Sequence, residues 1–95
     1  MDGEDFDTFV ELVEAALRAR DLPALARSLS DHDAEDTVRL LEREDEADRA
    51  VVYRLLSRDR ALEVFELLDQ AMRSELFTGL RDEDVARVFE ELDPD

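Results

Sequence analysis

Carboxylates dominate the chemistry open to this chain. Its 95 residues hold 28 Asp and Glu against 12 basic residues, every one of them Arg, for a formal net charge of −16. The densest stretch is Glu42, Glu44, Asp45, Glu46 and Asp48. An EF-hand loop would need a central glycine and spaced Asp or Asn ligands, and both are missing there. The stretch reads instead as a solvated turn leading into a helix whose N-terminus favours acids. His32 is the single histidine and cysteine is absent, so one chain cannot assemble a histidine-based or thiolate metal site, or a Ser-His-Asp triad. His32 itself reads as a loop residue beside a helix cap. Ser28, Ser30, Ser57, Thr8, Thr37 and Thr78 fall at helix ends or on exposed faces with no base to activate them. Gly79 stands alone, outside any phosphate-cradling loop. Nothing in the pattern predicts catalysis. The charge predicts a surface that attracts cations or a basic partner and repels nucleic acid and anionic membranes.

The elements that carry these acids are predicted to be short helices in one domain. A hydrophobic fraction of 44% suffices for a core, while two glycines and two prolines disfavour a hairpin-rich β fold. The longest uninterrupted apolar run is Ala50-Val51-Val52-Tyr53, against the ~20 residues a membrane-spanning helix needs. The N-terminus "MDGEDFD" is acidic where a signal peptide is basic. A soluble, cytoplasmic domain without direct membrane insertion is therefore expected.

Phe6, Phe9, Val10, Val13 and Leu17 form the stripe of an amphipathic helix over about residues 6–20. Asp21 then offers a capping carboxylate, with Pro23 in the first turn of a second helix. A third is predicted over 35–43, burying Val38 and Leu41. From residue 45 onward the chain repeats about every twelve residues. Tyr53, Phe65, Phe77 and Phe89 form one column, preceded by Val52, Val64, Leu76 and Val88 and followed by Leu56, Leu68, Leu80 and Leu92. These three positions share one helical face, so the aromatics are predicted to be core. Twelve residues hold one short helix and a bend, and helices that short need neighbours. A stronger likeness at twice that step, "VFELLD" from Val64 against "VFEELD" from Val88, predicts helix pairs, odd helices in one layer and even helices in the other. The wide apolar face of "RALEVFELL" places that helix in the middle of the stack.

The segments "LSRDRALEVFELLD" and "FEELDPD", preceded in order by "DHDAEDTVRLLE", resemble the cytoplasmic N-terminal domain of MgtE-type magnesium transporters. The likeness covers about Leu22 to Asp95. It departs from the family's pattern at His32-Asp33, which lacks the family's proline, and at "ERED" from Glu42, which lacks a leucine. The resemblance implies a right-handed, armadillo-like superhelix of short helices, an α-solenoid. It implies too that the domain binds Mg2+ at an interface shared with paired CBS domains, ahead of a membrane pore, and closes the channel when ions neutralise the facing acids. Homodimerisation would come through the full-length protein. Glu63 and Asp95 fall where the family's interface acids lie. On this reading the 95 residues are either a segment of a transporter or a stand-alone relative. The competing expectation is a helical-repeat adaptor, similar to those of flagellar motor switch proteins, that binds protein and has no ion role.

Overall fold

The computed structural model describes residues 3–83 and 85–87. Among them the chain is helical throughout, with no strand. Six helices follow one another: α1 (Gly3–Ala19), α2 (Leu22–Ser30), α3 (Ala34–Arg43), α4 (Glu46–Arg54), α5 (Arg58–Leu67) and α6 (Gln70–Leu80). Residues 83 and 85–87 are helical again. Among the described residues no helix is long and apolar enough to cross a membrane.

Each short helix starts at a side chain suited to capping. Asp21, Asp33, Asp45, Ser57 and Asp69 stand twelve residues apart, so the repeat reaches back to residue 21. Each accepts a hydrogen bond from the amide three residues on, those of Ala24, Asp36, Asp48, Arg60 and Met72, at 2.8–3.2 Å. Such a bond satisfies one of the orphan N–H groups of a helix start. The end of α1 is fixed differently. Arg20 takes a φ of 54°, the left-handed conformation that commonly closes a helix, and the Asp21 amide turns back to Ala16 O at 2.9 Å.

The helices stack by alternation. α3 packs on α5 and α4 on α6, while α1 and α2 pair as a hairpin. Odd and even helices of the repeat therefore occupy separate layers, which explains the stronger likeness at two steps. The fold is an all-α stack of short helices, as predicted.

The inward register is not the one predicted. Val52, Val64 and Leu76, 0–1% exposed, are the core column. Tyr53 and Phe65 are only half-buried and Phe77 is 56% exposed; Phe89, Val88 and Leu92 lie outside the described residues. The aromatics turn sideways to join consecutive helices. The Phe65 and Phe77 rings lie 5.8 Å apart across α5 and α6, and the Tyr53 hydroxyl donates to Ala61 O at 3.0 Å, from α4 to α5. In the third column Leu68 is buried, while Leu56 and Leu80 are half-buried. α5 is not covered on all sides, since Leu62 and Leu67 are 59% and 51% exposed. In α3, Leu41 is buried as predicted, but Val38 only partly, and Thr37 and Leu40 fill the core beside Leu41. In α1 the predicted stripe holds: Phe6, Phe9, Val10 and Val13 are buried and Leu17 half-buried.

Two arginines tie one helix to the next. Arg49 Nε donates to Leu41 O and its Nη2 to Glu44 O, both at 2.8 Å, at the end of α3. Arg73, two repeats further on, repeats the Nε contact with Phe65 O at 3.0 Å, while its Nη2 reaches Glu66 O at 3.4 Å, at the end of α5. A guanidinium fork on terminal carbonyls satisfies helix-end acceptors and suits the negative pole of the helix dipole.

Candidate functional site: two acidic clusters

Glu63 lies on α5 with its side chain 63% exposed. Residues 63 and 60 are one helical turn apart, and Arg60 Nε donates to Glu63 Oε1 at 3.1 Å. The same guanidinium reaches through Nη1 to the carbonyl of His32, in the turn before α3. Arg60 thus fixes Glu63 against the α3 N-terminus, where Asp33 caps the helix and Glu35 and Asp36 occupy its first turn. One open groove collects four carboxylates, Asp33, Glu35, Glu63 and Glu66, with Arg60 and the exposed Leu67. Four acids around one guanidinium leave the groove strongly negative. Mg2+ retains most of its hydration shell and needs only one or two carboxylates, so such a groove offers it charge and outer-sphere acceptors. Among the described residues no three potential ligands are grouped to hold a metal ion. Asp95, the other expected ligand, lies outside the described residues.

The second cluster corrects an expectation. The sequence predicts a solvated turn, and Glu42, Asp45 and Glu46 are indeed at the surface, but Glu44 is only 8% exposed. As the C-terminal cap of α3 it turns inward under α1, into a pocket it shares with Glu14, Leu17, Arg18 and Asp48. Its Oε2 is buried and accepts no hydrogen bond. Burial, a hydrogen bond shared with Glu14, and repulsion from Glu14, Asp48 and Asp45 raise its carboxyl to about 7, in that order of weight. Asp48 is raised too, by burial and then by Asp45 and Glu14. No signal within "EREDEAD" marks Glu44 as the inward residue. Only the packing of α1 on this corner does.

His32 sits in the turn beside the Asp33 cap, as predicted, and also joins α1 to α3. Its ring stacks on Phe9 with centroids 3.9 Å apart, and its Nδ1 lies 3.2 Å from Asp36 Oδ2.

Residues 32–95 match the family model of the MgtE intracellular N domain, two-thirds of the chain and the part holding α3 to α6 with Glu63 and Asp95. The chain belongs to that family. No curated protein and no solved structure matches it. An MgtE N domain is a regulatory part of a magnesium transporter and not a catalytic one. The α1–α2 hairpin, residues 3–30, precedes the matched region, and α1 meets α3 and the turn before it through the Phe9–His32 stack and the Arg39 guanidinium over Phe6.

Proposed function

We propose that this chain is the magnesium-sensing regulatory module of an MgtE-like transporter. The carrying observation is that Glu63, within the matched region, lies exposed in a groove of four carboxylates held in place by one arginine. The groove supplies half of a cation site. Asp95 adds to the N domain's share, and the other half comes from acids on a facing CBS domain. Two acidic faces repel each other when ion-free, and a divalent cation between them reverses that sign. Binding then favours the closed arrangement over the open one, which shifts the gate's equilibrium. The N domain acts inside the cell, as the family's name states. The packing of α3 on α5 couples an ion at Glu63 to the rest of the stack.

The exposed Leu62, Leu67 and Phe77 favour a second reading, an adaptor whose apolar side chains meet a protein partner without an ion role. Thermal unfolding separates the two. On the sensing account, millimolar MgCl2 raises the melting temperature beyond NaCl at matched ionic strength, and Glu63→Gln removes the excess. Equal shifts from the two salts would leave only screening and favour the adaptor.

A further inference from the structure

The pocket beneath α1 is a half-buried acidic corner that the magnesium reading leaves unused. It joins Glu14 of α1 to Glu44, at the end of α3, and to Asp48 in the first turn of α4. Glu44 is 8% exposed as a residue and lines the same pocket as Glu14, with its Oε2 buried and without a hydrogen-bond partner. Two carboxylates cannot hydrogen-bond to each other unless one keeps a proton. The neighbouring cations do not replace it. Arg49 spends its fork on the backbone carbonyls of Leu41 and Glu44 and on Glu75, and Arg18 lines the pocket from its exposed side. Among the described residues no three potential metal ligands are grouped at this corner.

We propose that Glu14 and Glu44 share one proton as a latch, and that losing it loosens the C-terminal half of α1 from the α3–α4 corner. The N-terminal half of α1 is held independently: Phe9 stacks on His32, the Arg39 guanidinium lies 4.0 Å from the Phe6 ring centroid, and Val10 and Val13 are buried. What the proton governs is the stretch from Glu14 to Ala19. Deprotonation leaves Glu14, Glu44 and Asp48 as like charges at one half-buried corner, which favours opening. The latch joins α1, which precedes the family match, to the matched domain, and it stands whether or not Glu63 binds magnesium.

The sign follows from the direction of the shift. A carboxyl whose docked form binds protons more tightly than its undocked form favours docking at low pH. That contribution is whole below about 4.5 and is lost as pH rises to about 7. Across that window the docked-to-open ratio falls up to roughly tenfold per pH unit for one proton released.

Amide hydrogen exchange of residues 14–19 on the whole chain, corrected for the intrinsic pH dependence of exchange, reads the latch directly. The wild type is expected to lose protection there between pH 5 and 7.5. In Glu44→Gln the side-chain amide N–H donates to Glu14 in place of the proton, so protection stays high across the range. His32 and Arg18 are present in both proteins and cancel from the comparison. A carbon-13 titration of the Glu44 carboxyl in the wild type gives a second readout that needs no variant. A midpoint in the ordinary glutamate range, or an equal loss of protection in Glu44→Gln, would overturn the latch.

Discussion

Adjacent residues of α6 carry opposite duties. Leu76 is 1% exposed in the inter-layer core, whereas Phe77, the larger side chain, is mostly in solvent. Truncation should follow burial and not size. Leu76→Ala is expected to cost ~2–5 kcal/mol and Phe77→Ala, which loses its ring contact with Phe65, only ~0.5–1.5 kcal/mol by urea denaturation. The reverse order would restore the aromatic column as the inward face. Arg49 makes a second case, because its side chain is 11% exposed and its fork meets two terminal carbonyls and Glu75 Oε1 at 2.5 Å. Arg49→Ala should cost ~2–4 kcal/mol, since the orphaned acceptors lose a charged donor. Lysine, a point charge without the fork, should recover little of that in the same assay. Arg39, an exposed cation over the Phe6 ring, should matter by less than ~1 kcal/mol.

At the scale of elements, α4 and α6 meet where Gly79 allows it. A methyl at that position would sit 3.1 Å from both Ala50 Cβ and Glu46 O, the latter a backbone atom of α4 that yields little. Leucine is a better helix former than glycine, so any stability lost in Gly79→Leu is a loss of packing and not of propensity. It is expected to push α6 off α4, lower stability by ~1–3 kcal/mol, and move amide resonances in both helices. A shift confined to α6 would mean that the contact is looser than described. Much of this architecture was legible in the chain. Short helices, a twelve-residue step and alternating layers follow from turn-forming acids and from the return of "VFELLD" as "VFEELD" two steps later. The register was not, because Val64-Phe65 and Leu76-Phe77 are adjacent apolar pairs and one helical step decides which member faces inward. Hydrophobic pattern alone cannot rotate a helix by that amount; the facing layer does.

At the scale of the whole molecule, charge is the main property, and only part of its arrangement could be read in advance. Glu63 stands exposed beside Arg60, one turn away on α5, while its neighbour Val64 turns to the core. Glu44 could not be found, since its burial depends on α1, an element from the far end of the chain that only tertiary packing brings near. A net charge of −16 on a small domain should make salt stabilising in general. Magnesium must therefore be tested by location as well as by strength. The measurement is a magnesium titration of the isotope-labelled chain, following backbone amide resonances at constant ionic strength set by NaCl. The account predicts weak, saturable shifts confined to residues 33–36 and 60–67, and their loss in Glu63→Gln. Shifts spread evenly over the acidic surface, or unchanged by Glu63→Gln, would contradict it.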